Sequence, residues 1–300
     1  MTLRSAIRLA APQTWAAGLG PVVAAGAYSV NRQGKADALL FYLTLWAALL
    51  MQSAVNTLND YYDHKKGTDN LDNSQDPEEA VLVYEHLCPG TVLGLAAVLL
   101  GTAGLIGLYI TFRCGPVPLA IGCVGGAVIL LYSGGRFPIS YFPAGELVSG
   151  VVMGGLLPMA VIYVLTGSID LLSFYQMFPL MLGVGLIMYT NNISDIEKDQ
   201  PAGRVTLTVC LGRRRARMVY RLLLAVWPLS LGHMVFWYFP NGFCVYPLFL
   251  GVAGAKIAGQ MRLALGCEER KRAMVGITGL NLCVGVFYAG MMLVDRGITY

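Results

Sequence analysis

The sequence predicts an all-α membrane protein that forms one transmembrane domain over residues 1–300. Hydrophobic residues make up 56% of the 300 residues and charged residues only 13%, whereas about a quarter of the residues in a soluble domain are charged. Apolar runs of about 20 residues, enough to cross a bilayer as a helix, recur along the whole chain. Helices are expected because a segment in lipid must satisfy its own backbone hydrogen bonds.

Nine apolar runs are predicted to span the membrane. The first is followed by further spans and lacks a convincing cleavage site, so we interpret it as a mature helix and not as a signal peptide. The fourth is short and opens with two prolines. The nine predicted spans are Trp15–Val30, Leu39–Val55, Val92–Phe112, Val117–Tyr132, Leu147–Leu165, Leu172–Tyr189, Leu222–Phe239, Val245–Leu265 and Met274–Val294.

The basic residues lie mostly on one side of these spans. Sixteen lysines and arginines fall on the side of the N-terminus and of the loops after spans two, four, six and eight, and four fall on the other side. Cytoplasmic loops are enriched in basic residues, so we predict a cytoplasmic N-terminus. The same bias explains the net charge of +4, and we expect no nucleic-acid partner.

The carboxylates concentrate in two predicted cytoplasmic loops, at about residues 56–90 and 190–217. Eight of the seventeen lie between spans two and three, and three more follow span six. The two groups share a framework, N-D-x-x-D at residues 59–63 and N-N-x-x-D at residues 191–195. We interpret this as a weak internal repeat. Paired helix ends in two halves of a membrane protein often meet around a site.

The spacing within each loop predicts a magnesium site. Residues three or four apart share a helix face, so each loop presents a polar stripe. Two facing carboxylate stripes repel unless cations lie between them, and oxygen-only ligands suit Mg²⁺. Apart from His64, neither stripe contains histidine or cysteine, which argues against zinc. The predicted metal ligands are Asp60, Asp63, Asp69, Asn192, Asp195 and Asp199.

Three segments resemble the motifs of a known family. "NDYYDHKKGTD" resembles the first aspartate-rich motif of the UbiA superfamily of intramembrane aromatic prenyltransferases, and "NNISDIEKDQPAGRVTLTVCLG" resembles the second. The paired asparagines and the A-G-basic-x-T-L pattern of the second motif are most similar to the 1,4-dihydroxy-2-naphthoate polyprenyltransferases of menaquinone synthesis. "YSGGRFPISYFPAGE" is similar to that family's Y-T-G-G-P…Y…L-G-(D/E) loop.

The resemblance implies a UbiA-type bundle of nine helices and a Mg²⁺-dependent enzyme, with two ions bridging to a diphosphate. The implied reaction transfers a polyprenyl group from a prenyl diphosphate to an aromatic acid. The favoured acceptor is 1,4-dihydroxy-2-naphthoate, which loses its carboxylate to give demethylmenaquinone. The expected partners are therefore a polyprenyl diphosphate, an aromatic acid acceptor and the lipid bilayer. The expected location is the cell membrane, with the active-site loops on the cytoplasmic side.

Site residues follow from the matched motifs. The predicted catalytic residues are Asp60, Asp63, Asp195, Asp199 and Arg204. Arg204 matches the basic position of the second motif, where it would donate hydrogen bonds to the departing phosphates. The predicted substrate-binding residues are Asn56, Asn59, Asn192, Lys66, Tyr132, Arg136, Lys198 and Lys256. Lys256 lies deep in span eight, and we expect it either to snorkel to water or to pair with the acceptor's carboxylate.

The chain departs from the family pattern at two basic positions, which leaves the acceptor open. Ser194 stands where the family often has arginine, and "APQTW" replaces an R-P-(K/R)-T-L start. The same reaction on 4-hydroxybenzoate or homogentisate is therefore the alternative within the enzyme class. A membrane transporter is the alternative from another class. Its charges, however, would belong near the membrane midplane and not at helix ends.

Overall fold

The computed structural model describes residues 1–67 and 81–297, and this part of the chain is built from helices joined by short connections. The α-helices are α1 (Leu3–Ala10), α2 (Ala16–Gln33), α3 (Ala38–Lys66), α4 (Val81–Tyr84), α5 (Pro89–Cys114), α6 (Val117–Ser133), α7 (Gly145–Val151), α8 (Leu157–Thr166), α9 (Leu171–Gln176), α10 (Phe178–Ser194), α11 (Ile196–Asp199), α12 (Leu207–Tyr238), α13 (Tyr246–Arg262) and α14 (Arg270–Gly297). A π-helical segment, Val152–Leu156, joins α7 to α8. Short 3₁₀ turns cover Pro12–Thr14, Ile139–Tyr141, Pro240–Val245 and Cys267–Glu269.

Six helices within the described ranges are long and apolar enough to cross a membrane. They cover Ala38–Lys66, Pro89–Cys114, Gly145–Thr166, Leu207–Tyr238, Pro240–Arg262 and Cys267–Arg296. The other three predicted spans fall on α2, α6 and α10, which have 18, 17 and 17 residues. At 1.5 Å per residue these helices are about 26 Å long, slightly less than a hydrocarbon core of about 30 Å. The all-helical class is confirmed, whereas nine spans and a cytoplasmic N-terminus remain predictions.

Helix α3 carries the first acidic motif in its last two turns. The helix begins where the Asp37 side chain accepts a hydrogen bond from the Leu40 backbone N–H, at 3.0 Å. It ends at Gly67, whose φ of 71° lies in the left-handed region. Glycine adopts that conformation without a steric penalty, so it is a common helix stop. The motif side chains therefore project from a regular helix.

Packing separates a densely filled part of the bundle from an open part. Helix α2 packs against α14 and α8, and α10 packs against α7, α12 and α14. Large side chains fill this core, including the fully buried Trp227, Tyr220, Phe249 and Tyr288. Helix α3 instead packs against α5 and α6, and a cavity lies between these three helices and α8.

The π-helical segment forms part of the cavity wall. A Cβ atom on Gly154 would lie 2.4 Å from the Cα atom of Met181, so only glycine permits α10 to approach this closely. Val152, Met153 and Leu156 from the same segment line the cavity. Irregular π turns are frequent at functional sites because they redirect side chains from a helix.

Candidate active site

An elongated cavity of about 960 Å³ opens between α3, α5, α6, α8 and α10. Thr44 and Asp60 both line it, and their separation of sixteen residues on α3 corresponds to about 24 Å. The end next to Asp60 is polar, whereas small and apolar residues of α5, α6 and α8 form most of the remaining wall. The polar and charged residues at that end are Arg8, Asn56, Asn59, Asp60, Asn191, Asn192, Arg204, Arg270 and Lys271. This shape suits a ligand with a charged head and a long apolar tail.

Arg204 connects the two acidic motifs. Its Nη2 atom contacts Oδ1 of Asp63, and its Nη1 atom lies 3.6 Å from Oδ1 of Asp199. Both aspartates are buried. The guanidinium also lies against the ring of Tyr141, 5.1 Å from the ring centroid. The two predicted carboxylate stripes are thus brought together, with an arginine between them.

Burial and neighbouring charges act in opposite directions on the ionisation of Asp199 and Arg204. Burial raises the pKa of Asp199 to about 7, because loss of hydration outweighs the attraction of Arg204. Burial lowers the pKa of Arg204, but Asp63 and Asp199 raise it by more, so the guanidinium stays charged. Lys198 adds a second, weaker attraction that also lowers the pKa of Asp199.

A second arginine, at the start of α14, holds the other half of the second motif. The Nε atom of Arg270 lies 2.8 Å from Oδ1 of Asp195, and its Nη2 atom donates to Oδ1 of Asn191 at 2.7 Å. Arg270 lies outside the acidic motifs, so the sequence pattern did not predict it as a site residue. The only sequence signal was its position in a basic cluster on the same predicted side of the membrane as the acidic loops.

The remaining polar residues of the first motif tie α3 to its neighbours. The Asp60 carboxylate accepts hydrogen bonds from the backbone N–H groups of Val81, at 3.0 Å, and Leu82, at 3.2 Å. Asn56 donates to the carbonyl that ends α1, at 3.1 Å. Asn59 accepts a hydrogen bond of 2.7 Å from the last residue of α6. Asp60 therefore helps fix α4 as well as facing the cavity.

Other predicted binding residues also lie near the polar end. The Lys66 ammonium lies 4.7 Å from the ring centroid of Tyr141, the same ring that covers Arg204. Asn192 donates to the buried carboxylate of Glu146 at 2.8 Å, and both Asn192 and Tyr132 line the cavity. The loop between α6 and α7 thus brings Tyr141 against two cations from different motifs.

Some predicted residues are not brought to the cavity. Arg136 is exposed and stacks on the ring of its neighbour, and Lys198 is partly buried beside Asp199 but does not line the cavity. Lys256 lies on the exposed face of α13, because the buried stripe of that helix runs through Phe249, Ala253, Ile257 and Gln260. Of the two alternatives for Lys256, this position agrees with snorkelling and does not agree with pairing to an acceptor in the cavity. Asp69 lies outside the described residues.

The donor set fits a divalent cation next to an anionic group. Across residues 1–67 and 81–297, no cluster of three or more His, Cys, Asp or Glu residues is close enough to hold a metal ion by itself. The donors are nevertheless all oxygens, which Mg²⁺ prefers. The Nε–H group of Arg204 is buried and meets no hydrogen-bond acceptor in the described part of the chain. A phosphate oxygen would suit that donor.

Comparisons with known proteins identify the family of this chain. Residues 19–289 match the model of the UbiA prenyltransferase family. The 1,4-dihydroxy-2-naphthoate octaprenyltransferase of Bacillus subtilis (strain 168) is 37% identical over 210 residues, which cover 70% of this chain and 66% of that relative. UbiA prenyltransferase domain-containing protein 1 of Danio rerio is 29% identical over 290 residues, which cover 95% of this chain and 83% of that relative.

A solved structure of a UbiA homolog from Archaeoglobus fulgidus, bound to DMAPP and Mg²⁺, has the same fold. The two structures superpose with a TM-score of 0.67 at 13% sequence identity, and the aligned region covers 98% of this chain and 100% of the Archaeoglobus fulgidus chain. The helical fold, the family model and the Bacillus subtilis relative together define the class as a helical membrane prenyltransferase. The chain belongs to the UbiA prenyltransferase family, and the resemblance seen in the sequence is confirmed.

Proposed function

We propose that the protein transfers a polyprenyl group from a prenyl diphosphate to 1,4-dihydroxy-2-naphthoate in a Mg²⁺-dependent reaction. The observation that carries this proposal is the joining of two buried acidic motifs at the polar end of a long apolar cavity. The name of the Bacillus subtilis relative supports the acceptor. The DMAPP and Mg²⁺ bound to the Archaeoglobus fulgidus homolog support the donor and the cofactor.

The acidic motifs are the proposed metal site. Asp63, Asp195 and Asp199 would hold two Mg²⁺ ions, with Asp60, Asp69 and Asn192 as the remaining proposed ligands. When bound, Mg²⁺ supplies positive charge that neutralises the diphosphate and makes it a better leaving group. The protein contributes a water-poor setting in which two of these carboxylates, Asp63 and Asp199, are already close to one cationic side chain.

The cations around Tyr141 bind the diphosphate. Arg204 offers its buried Nε–H group and can replace its carboxylate contacts with a planar, two-point contact to phosphate oxygens. Lys66 contributes a second positive charge on the same aromatic ring. Held between these groups, the departing diphosphate is stabilised as negative charge develops on it.

The apolar part of the cavity holds the prenyl tail and keeps water from the reacting carbon. The aromatic acceptor lies at the polar end, beside Asn191, Asn192 and Tyr132, which all line the cavity there. A bond forms between C1 of the prenyl chain and the ring carbon that bears the carboxylate. The carboxylate leaves from that carbon as CO₂ and its electron pair returns to the ring, which gives demethylmenaquinone in its reduced form.

We further propose that nine helices cross the cell membrane with the polar end of the cavity on the cytoplasmic side. The sixteen-to-four distribution of basic residues supports this orientation. In this orientation the acidic motifs bind the diphosphate group on the cytoplasmic side, while the prenyl tail of the same substrate lies in the apolar cavity.

An assay of the purified protein with Mg²⁺, a prenyl diphosphate and three separate aromatic acids tests the proposal. The acids are 1,4-dihydroxy-2-naphthoate, 4-hydroxybenzoate and homogentisate, and mass spectrometry identifies each product and any loss of CO₂. We expect a decarboxylated, prenylated product from the naphthoate and none in EDTA. A product from only another acid would correct the acceptor, and no product from any acid would contradict prenyl transfer.

A further inference from the structure

Arg204 occupies the position at which the two acidic motifs meet. Its guanidinium contacts Asp63 at the end of α3 and approaches Asp199 in α11. The side chain is only 14% exposed, and that of Asp63 is 8% exposed. Its backbone N–H also donates to the carbonyl of Asp199 at 3.0 Å. This arginine is therefore the cation through which the two motifs are connected.

The same carboxylate oxygens are the ones a metal ion needs. Mg²⁺ binds oxygens directly, at about 2.1 Å, in a demanding octahedral geometry. A guanidinium on Oδ1 of Asp63 and beside Oδ1 of Asp199 competes for those oxygens. Arg204 and a metal ion therefore cannot both use these carboxylate atoms in full.

A diphosphate offers Arg204 a better partner. Arg204 lines the cavity, and its Nε–H group is buried with no acceptor among the residues described. An arginine binds phosphate through two parallel hydrogen bonds, a geometry that its fixed fork matches. Hydrogen bonds to the phosphate thus take the place of the ion pairs with the aspartates, and the carboxylate oxygens become available together.

We infer that Arg204 is a displaceable counter-ion: it holds Asp63 and Asp199 together before substrate binds, and it moves to the diphosphate so that these carboxylates can take the metal. The inference rests on the proposed function. Metal binding then depends on the diphosphate, so metal and donor enter together. Before that, the buried carboxylates keep a positive partner and do not repel each other.

Metal binding without turnover tests this inference. The purified full-length protein is titrated with Mn²⁺, which replaces Mg²⁺ at oxygen sites, and free Mn²⁺ is followed by electron paramagnetic resonance. Wild type, Arg204→Gln and the control Arg215→Gln are compared, because Arg215 is an exposed arginine on α12. Each protein is measured with and without an unreactive prenyl thiolodiphosphate, and protein-free samples correct for Mn²⁺ held by the thiolodiphosphate itself.

Without the thiolodiphosphate, we expect Arg204→Gln to bind Mn²⁺ at least tenfold more tightly than wild type or Arg215→Gln. Adding the thiolodiphosphate should tighten Mn²⁺ binding to wild type and to Arg215→Gln, and much less to Arg204→Gln. If Arg204 only cross-links the motifs, its loss loosens them, and Arg204→Gln then binds Mn²⁺ no more tightly than wild type. That result overturns the inference.

A second variant keeps the test decisive. If Arg204→Gln does not fold, as judged by circular dichroism and gel filtration, Arg204→Lys takes its place. Its ammonium is a compact point charge that does not reproduce the two-pronged contact. Several-fold tighter Mn²⁺ binding by Arg204→Lys supports the inference, and wild-type affinity contradicts it. Failure of the proposed function is distinct, because wild type then binds no Mn²⁺ even with the thiolodiphosphate and transfers no prenyl group.

Discussion

We expect the ion pair between Asp63 and Arg204 to stabilise the folded protein when EDTA removes metal ions. Two unit charges about 4 Å apart attract by about 4 kcal/mol at an effective dielectric constant of roughly 20. Removing one partner of a buried pair costs about 3–5 kcal/mol, because the other charge stays buried. Asp63→Asn leaves Arg204 with Asp199 at 3.6 Å, so we expect a smaller loss of about 2–3 kcal/mol. Arg204→Gln removes the cation that contacts both carboxylates and is expected to cost about 3–5 kcal/mol.

The double mutant separates the pair from other effects of each substitution. We expect it to be more stable than the sum of the single losses by about 2 kcal/mol, within the range that contacting residues show. The free energy of unfolding is measured in detergent micelles with EDTA, by denaturant titration followed by circular dichroism. A coupling below about 0.5 kcal/mol equals the scatter of independent sites and would refute the counter-ion argument.

Four further predictions concern residues in and around the cavity. Alanine at one of four motif carboxylates should lower turnover at least about 100-fold while the protein stays helical, and the four substitutions are Asp60→Ala, Asp63→Ala, Asp195→Ala and Asp199→Ala. EDTA should have the same effect, and added Mg²⁺ should reverse it. A wild-type rate in any one of these variants would contradict the metal site. Arg270→Gln should lower kcat about 10–100-fold, because it removes the contacts of Arg270 with Asp195 and Asn191. The control Arg215→Gln should match wild type. A wild-type kcat in Arg270→Gln would show that catalysis does not need Arg270. Gly107→Leu should leave folding unchanged, because no atom lies within 4 Å of its added Cβ, but it should lower kcat/KM for long prenyl diphosphates about tenfold more than for short ones. An equal loss for both lengths would place the tail elsewhere. Lys256→Met should show wild-type kinetics, since the side chain is exposed outside the cavity, and a raised KM for the aromatic acid would contradict that placement.

Local patterns in the sequence were enough to predict the class and the two acidic motifs. Apolar runs of spanning length predict helices whatever their neighbours are, because the constraint comes from the bilayer and acts within each segment. The N-D-x-x-D and N-N-x-x-D frameworks are likewise local, since residues three and four apart share a helix face. The family resemblance depended on the same short segments, and the family match over residues 19–289 confirms it.

Only the tertiary structure decided which cation meets which carboxylate. Arg204 lies 141 residues from Asp63, and Arg270 reaches Asn191 across 79 residues. Lys256 lies deep in a predicted span, yet it faces outward, because the rotation of α13 is set by its stripe of packed side chains. Composition and periodicity determine where a helix forms and which residues share a face. The rotation of that helix and the residues it contacts depend on how all the helices pack together. The sequence therefore determined the oxygen donors, and the packing decided that arginines stand between them.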